Sequence, residues 1–434
     1  MIANRLSENP NFNILLLEAG GTETFFHQIP LISGFLPLTD SNWQYKSVPQ
    51  KRACFGMNNN ECAQPRGKVL GGTSSINYMI YNRGNKHDFD MWADFGNPGW
   101  SYKDLLPYFM KSEGANSPDL ANSSYHNMNG PLPVEYPSYR TETVHHWVAA
   151  AKQAGYPTVD YNGESQLGVS YVQSTTQDGR RASASKAFIE PVKSRPNLRI
   201  ITNAQVTRVF IDNSTLEAYG VEYNLNNKMY TVNCTNEVII AAGTFSSPQI
   251  LMLSGIGPLD NLNRIGIPVL KELPVGKIMY DHICHAGLTF ITNTSGNAIH
   301  FRDLSPIDVA RYFLHSPSKL NIIGGFEALA FFKINKNKKP YKLPDTEHIF
   351  ISGSFATDLG YGLSPGANFK RSLYNSAYRP IERLSTEHFT VFSMLFHPKS
   401  IGSLWLESND SEIPPMIHPN YFIIIHFYYL YIFI

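Results

Sequence analysis

Pro65-Arg-Gly-Lys-Val-Leu-Gly-Gly-Thr-Ser-Ser-Ile-Asn77 places three glycines (Gly67, Gly71, Gly72) within six residues, ahead of small hydroxyl residues and an apolar segment. Glycine carries no Cβ and tolerates positive φ, so such a run lets the backbone approach a bound group closely. Thr73, Ser74 and Ser75 offer N-caps, and the free N–H groups of a helix start favour an anion such as a phosphate. Arg66 and Lys68 add positive charge beside it. Taken alone, the stretch reads equally as a structural turn and as a ligand cradle, so its neighbours decide.

Upstream, Ile2 to Asn9 reads as the last turns of a helix stopped by Pro10, and Asn13-Ile-Leu-Leu-Leu-Glu-Ala-Gly-Gly21 follows. A continuous apolar run ending in an acid and two glycines is the pattern of a buried parallel strand. In dinucleotide-binding βαβ units an acid at the end of the second strand holds the adenosine ribose, and Glu18 sits at that place. Its alternative reading is a solvated strand-end carboxylate. The Gly-x-Gly-x-x-Gly turn that should precede this helix is missing, which suggests a truncated sequence or a lost pyrophosphate turn. Trp43 and Tyr45 alternate in an extended segment and read as core or strand residues.

Downstream, Ser101 caps a helix over Tyr102–Ser112. A second helix, Glu142–Ala154, carries Val144, Trp147, Val148 and Ala151 on one face and ends at Gly155. Its adjacent His145 and His146 point in different directions, a poor metal pair. Ser183 or Ser185 caps Lys186–Glu190, which Pro191 ends. Asn197 to Ile211 reads as two strands, and Val221–Tyr223 with Met229–Val232 as a hairpin around Asn226-Asn227. Glu237-Val-Ile-Ile-Ala-Ala-Gly243 reads as another buried strand. In Gly243-Thr-Phe-Ser-Ser-Pro-Gln-Ile-Leu-Met-Leu-Ser-Gly-Ile-Gly257, Ser247 is the expected N-cap, Pro248 the first helical residue and Gly255 the C-cap. Strand, glycine and short helix fit a nucleotide site and a plain joint about equally.

With 434 residues, 43% hydrophobic and 16% charged, the chain is long enough for two or three globular domains. Lys+Arg 36 against Asp+Glu 35 gives a net charge of +1, and with no long basic run this speaks against a nucleic-acid partner. Four cysteines lack paired metal-ligand spacing, and no metal site is assigned. Cys54 and Cys62 flank a Gly- and Asn-rich loop and are open between a bridge and two unrelated thiols. Acceptor patterns for N-glycosylation at Asn122, Asn213, Asn233, Asn293 and Asn409 lean towards a secreted protein, although no signal peptide stands at Met1. The tail, 422–434, is apolar and aromatic but shorter than the roughly 20 residues that span a bilayer. It reads as an anomalous end, translated non-coding sequence or an aberrant exon end, in preference to a membrane anchor.

The segments Gly67 to Asn77 and Gly243 to Gly257 resemble the two signatures of the glucose–methanol–choline oxidoreductases, flavoenzymes that bind FAD and oxidise alcohols. Ala3-Asn-Arg-Leu-Ser-Glu-Asn-Pro10, Leu15-Leu-Leu-Glu-Ala-Gly-Gly21 and Arg83-Gly-Asn-Lys86 resemble the insect glucose dehydrogenase-like branch, and the match runs from Ile2 to about Tyr421. The resemblance implies an α/β fold: a Rossmann-like FAD-binding domain built from discontinuous segments, plus an antiparallel-sheet substrate domain. It assigns 1–282 to the FAD-binding region, with inserted lid segments at about 96–180. Residues 283–397 fall to the substrate region, and 398–421 to the start of the C-terminal region.

Glu18 would then hold the ribose. Arg66, Gly67, Gly71, Gly72, Thr73, Ser74 and Asn77 would wrap the FAD pyrophosphate and reach the flavin, with Asn77 near the isoalloxazine ring. Val206 would meet the adenine through its backbone, and Gly243 would let a strand end approach the cofactor. The implied partners are a small-molecule alcohol or sugar and an electron acceptor. The implied reaction removes a proton from the alcohol oxygen to a histidine base and a hydride from carbon to flavin N5.

Three departures accompany the match. The N-terminal glycine turn is missing. The family's Val-Gly-x-Asn-Leu-x-Asp-His appears as Val275-Gly-Lys-Ile-Met-Tyr-Asp-His282, with Ile278 in place of asparagine. The segment carrying the catalytic histidine should follow Tyr421. His418, in a Pro-x-Ile-x-Pro-Asn-Tyr turn, and His397, at a strand start, are not that base, so no catalytic residue is assigned. The expectation is a chain truncated at both ends that binds FAD weakly or not at all. Its rivals are a non-catalytic interaction protein that kept the shell of the fold, and a nicotinamide-dependent dehydrogenase, which fits Glu18 but not the two signatures.

Overall fold

The computed structural model describes residues 1–293, 304–334, 342–384 and 387–423. The apolar tail therefore lies outside the described residues from 424 onward. In chain order, strand β1 (Ile14–Leu17) precedes helices α1 (Lys86–Asp94), α2 (Tyr102–Ser112) and α3 (Glu142–Gln153). Strands β2 (Gly168–Tyr171), β3 (Leu198–Ile201), β4 (Ala204–Ile211), β5 (Ala218–Leu225) and β6 (Lys228–Asn233) come next. Helix α4 (Gly243–Leu253) leads into β7 (Ile283–Thr292), β8 (Phe326–Phe332), β9 (Thr346–Ile351) and β10 (Glu387–Leu395).

The first layer begins with β1 and β3, paired in parallel from Ile14↔Leu198 to Leu17↔Ile201, although 184 positions separate them in sequence. β1 is half-buried along its length, less covered than an all-apolar run predicts. β4, β5 and β6 form an antiparallel meander. Its second turn is the expected one: Leu225 faces Lys228, and Asn226 and Asn227 both adopt left-handed φ, 53° and 60°. Asparagine tolerates that region, and the two-residue turn matches the twist of the flanking strands.

Two expectations fail just beyond. Residues 237–243 form no strand, and Ile239 is 45% exposed. No strand among the described residues pairs with them, so their backbone groups have no ladder to join. Helix α4 starts at Gly243, so Ser247 caps nothing and Pro248 lies inside the helix. The proline is tolerated because the carbonyl that loses its partner belongs to exposed Thr244. Gly255 does close the helix, with φ +84° and its N–H 3.0 Å from the Met252 carbonyl.

The second layer is a five-stranded sheet in the order β7-β10-β9-β8-β2, antiparallel throughout. Its edge strand β2 comes from 168–171, so the sheet also draws on the stretch before residue 283. Alternation along the strands gives two apolar faces. Ala328, Ala330 and Phe350 pack on Val144 and Val148 of α3, the helix face read from the sequence. Leu329, Phe331, Ile349 and Ile351 pack on Met79 and Tyr161, just beyond the glycine-rich stretch. His145 turns to the Tyr171 hydroxyl at 2.7 Å, whereas His146 lies exposed beside Glu142.

A buried ionic chain ties down the segment between these layers. Arg83 donates to Glu113 Oε2 at 2.6 Å, and His126 bridges Glu113 Oε1 and Asp160 Oδ2 at 2.8 Å each. Cys54 and Cys62 form a disulfide, their Cα atoms 5.6 Å apart; Cys234 and Cys284 are free thiols. Among the described residues no helix is long and apolar enough to cross a membrane.

Candidate functional site

Pro65–Asn77 threads between two other segments. On one side Asn42 bridges to Gly67, the Trp43 N–H donates to the Arg66 carbonyl at 2.9 Å, and the Lys68 N–H to Ser41 at 2.7 Å. On the other side Gly21 bridges in parallel to Val69, and the Leu70 N–H donates to the Gly21 carbonyl at 2.8 Å. The approach requires Gly20: a Cβ there would lie 1.9 Å from the Lys68 carbonyl oxygen. A Cβ on Gly67 would meet the Gly72 carbonyl at 2.3 Å. Here glycine is demanded by packing of chain on chain, which the sequence leaves open.

Gly71 (φ +107°) and Gly72 (φ +59°) turn the backbone into a short 3-10 turn, Gly72–Ser75. Thr73, Ser74 and Ser75 therefore cap no helix, contrary to expectation. Their hydroxyls tie the turn to itself and its neighbours instead. Thr73 Oγ1 accepts the Gly67 N–H at 3.2 Å, and Ser74 Oγ donates to the Gly71 carbonyl at 2.6 Å and accepts from Ala184 N–H at 2.9 Å. A Cβ on Gly72 would meet nothing within 4 Å, so the turn faces open space on that side.

Glu18 ends β1 beside this wrap. Its side-chain Oε1 accepts the Gly20 N–H at 2.8 Å, and its backbone carbonyl accepts the Ala204 N–H at 2.9 Å. Burial pushes its carboxyl up to about 7, against the opposing pull of the Gly20 N–H and the Lys68 charge. Val206, two residues on from Ala204 in β4, is half-buried opposite Tyr223, next to a register shift before Arg208. Gly243 has φ +84°, and a Cβ there would also meet nothing within 4 Å. Arg66 joins this corner to the wrap, its guanidinium carbon 4.6 Å from the Phe245 ring centroid. The structure thus gathers Glu18, the Arg66–Asn77 stretch, the start of β4 and Gly243 at neighbouring segments.

Arg181 is missing from the sequence reading. It is 1% exposed and donates to the His27 carbonyl at 2.8 Å, to Ser33 Oγ at 2.8 Å, and to the Ser74 carbonyl and Asn77 Oδ1 at 3.0 Å each. Burial pulls its guanidinium down to about 10. It fixes the orientation of Asn77, whose Oδ1 also accepts the Met79 N–H at 3.0 Å. The Asp178-Gly179 pair signals the hairpin that carries it, with φ values of 53° and 70°, but which of Arg180 and Arg181 turns inward is a tertiary matter.

His397, expected at a strand start, instead follows β10 with a left-handed φ of 53° and bonds Asp88 at 2.7 Å. His418, expected in a turn, ends a short strand, Met416–His418, paired with Ser403–Trp405. Among the described residues no group of three or more His, Cys, Asp or Glu is placed to hold a metal ion. An FAD-like dinucleotide fits what is present: open space at Gly72 and Gly243, cations at Arg66 and Lys68, and a strand-end carboxyl with accepting capacity left. Glu23 Oε1, buried near Arg181 and Lys186, also has no hydrogen-bond partner among the described residues.

The GMC oxidoreductase family model matches residues 12–284. The chain is 35% identical over 428 residues to a glucose dehydrogenase (FAD, quinone) of Drosophila pseudoobscura pseudoobscura, covering 97% of this chain and 64% of that protein. It is 33% identical over 438 residues to an oxygen-dependent choline dehydrogenase of Sinorhizobium fredii, covering 97% of this chain and 71% of the relative. Among solved structures it resembles formate oxidase of Aspergillus oryzae RIB40, with a TM-score of 0.80 at 25% identity over 97% of this chain and 75% of the other. Pyridoxine 4-oxidase from Mesorbium loti shares the fold, with a TM-score of 0.77 at 24% identity over 96% and 73%. The chain thus spans 64% of the length of that glucose dehydrogenase. A family match over residues 12–284, and a relative 33% identical of which this chain covers 71%, lead to one conclusion: this chain belongs to the GMC oxidoreductase family.

Proposed function

We propose that this chain is an FAD-dependent oxidoreductase acting on the CH–OH group of a small alcohol or sugar and passing electrons to an acceptor outside the chain. The observation that supports this reading is that Glu18, the Arg66–Asn77 wrap and the helix that starts at Gly243 lie on adjoining segments, with open space at Gly72 and at Gly243. Glu18 would hold the ribose hydroxyls, and Val206 the adenine through its backbone. The Gly67, Gly71 and Gly72 backbone, with Arg66, Thr73 and Ser74, would take the pyrophosphate. Asn77, oriented by Arg181, would stand at the flavin. Bound FAD supplies the acceptor for two electrons, and the protein supplies position and electrostatics. The chain's own share is to hold the donor against that ring; no residue is assigned as the base. We further assign 1–282 to cofactor binding and 283–397 to the donor side. We read the Cys54–Cys62 bridge, which oxidising compartments favour, as support for a secreted protein.

Titrating the purified chain with FAD, followed by flavin absorbance and fluorescence, tests the reading. Saturable binding that weakens on Gly72→Val, where a side chain would fill the open space, is the expected result. Wild-type protein that takes up no flavin at any concentration would overturn it.

A further inference from the structure

Two of the acceptor patterns for N-glycosylation, Asn213-Ser-Thr215 and Asn233-Cys-Thr235, stand at one end of the β4–β5–β6 meander. Asn213 lies in the turn after β4, and Asn233 closes β6. Both are thus at the end opposite Ala204, whose N–H meets the Glu18 carbonyl. β4 is 8 residues long, which puts roughly 20 Å between that contact and this end. A bulky group here would leave the cofactor side untouched.

Asn213, Thr215, Asn233 and Thr235 are all exposed. Asp212 holds the turn, its Oδ1 accepting the Ser214 and Thr215 N–H groups at 2.8 Å each. Neither the Asn213 nor the Asn233 side chain takes part in a hydrogen bond among the described residues, so both amides are available. Phe210, Gly220 and Asn233 are successive register partners across the three strands. A Cβ on Gly220 would stand 3.0 Å from Asn233 Oδ1, so the asparagine side chain lies against the bare glycine. The Phe210 ring stacks on Tyr219, with centroids 5.7 Å apart and 20° between planes, and Tyr219 is 48% exposed. This end of the meander therefore combines two available amides with an aromatic pair that keeps an open face. The C–H face of a pyranose covers such a ring while its hydroxyls stay in water. β6 pairs with β5 alone among the described residues, and a glycan at its end also hinders edge-to-edge pairing.

We propose that Asn213 and Asn233 carry N-linked glycans whose first sugars lie against the Phe210–Tyr219 ring pair. The donor is an oligosaccharide linked to a polyprenyl diphosphate. Asparagine Nδ2 bonds the anomeric carbon and gives up a proton, the bond from that carbon to the diphosphate oxygen breaks, and the lipid diphosphate leaves; nothing is oxidised. The proposal rests on the secreted reading above, because the modification belongs to that route.

The test expresses the full chain behind a secretory leader in cultured mammalian cells, with peptide mass spectrometry before and after peptide-N-glycosidase. Expected are glycans on both asparagines, each converted to aspartate on release, and the loss of one glycan in each of Asn213→Gln and Asn233→Gln. Hydrogen exchange in the 211–218 hairpin should be about fivefold slower with the glycans than without, the size of one ring-stacking contact. Tyr219→Ala should remove that slowing and leave occupancy unchanged. A bare Asn213 or Asn233 in the secreted chain, glycans that leave exchange unaltered, or slowing that survives Tyr219→Ala overturns the proposal. If Tyr219→Ala does not fold, the wild-type exchange difference decides alone. The same digest reads the Cys54–Cys62 bridge: glycans without the bridge sink the secreted reading only, and the bridge without glycans sinks this one only.

Discussion

Raising the pH from about 6 to about 10 should remove roughly 3 kcal/mol of stability through a single imidazole, that of His126. Both its ring nitrogens lie 2.8 Å from carboxylate oxygens, Nδ1 from Glu113 and Nε2 from Asp160, and its side chain has no exposed surface. Two carboxylates can be bonded at once only if both nitrogens carry protons, so the ring is an imidazolium. Burial alone would lower its pKa; the hydrogen bonds and charges of Asp160 and Glu113 outweigh that and hold it up at about 9, against an ordinary 6.5. At about 1.4 kcal/mol per unit, the difference is worth roughly 3 kcal/mol. The folded value lies above the unfolded one, so the stabilisation is complete below about 6.5 and fades as pH climbs through about 9. Urea unfolding of wild type and His126→Gln across that range is the assay. Glutamine keeps a hydrogen bond but carries no charge. The variant should lie roughly 3 kcal/mol below wild type at the acidic end, where a buried pair has lost one partner, and the gap should shrink steadily toward alkaline pH. A gap of constant size would refute an imidazolium between the two carboxylates.

Four further outcomes are expected. Arg181→Met should lower stability by about 3 kcal/mol, because it strands the His27 and Ser74 carbonyls in a buried site and leaves Asn77 Oδ1 with the Met79 N–H alone, and Arg181→Lys should recover only part of that; chemical unfolding measures both. Glu18→Leu should weaken FAD binding about tenfold in a flavin titration, through loss of hydrogen bonds to the ribose. Because burial raises the Glu18 carboxyl from 4.5 to about 7, stability should fall as pH rises across that window, and Glu18→Gln should flatten the slope. Cys54→Ser opens a loop whose bridged residues are 8 apart and should cost about 2.5 kcal/mol by loop-closure entropy, read as a lower unfolding midpoint under non-reducing conditions.

Much of the fold was legible where short-range rules act. Ser101 caps Tyr102–Ser112 as read, its side chain accepting from Asp104. The face of the helix after Thr141 and the Asn226-Asn227 hairpin also stand where periodicity and turn chemistry put them. The strand expected at 237–243 failed because a strand exists only with a partner, and an apolar run cannot report whether one is present. The helix start failed for a related reason: proline at the first helical position is a preference, and here the helix already runs from Gly243, with Phe245 in its first turn packed under Arg66. The buried triad of Glu113, His126 and Asp160 left no trace in the sequence, since its members are ordinary residues at unremarkable spacings.

For the Pro65–Asn77 stretch, the sequence by itself determined that the backbone turns sharply at Gly71 and Gly72 and that small hydroxyls follow, because both depend on the steric freedom of single residues. Signature spacing likewise marked the family. Only the tertiary structure decided that Gly20 must be bare for the stretch to pass, that Thr73 and Ser74 brace the turn and do not cap a helix, and that Arg181 sets Asn77. Those facts depend on which distant segments meet, and close packing between segments far apart in sequence is specified by the whole core, not by any window along the chain.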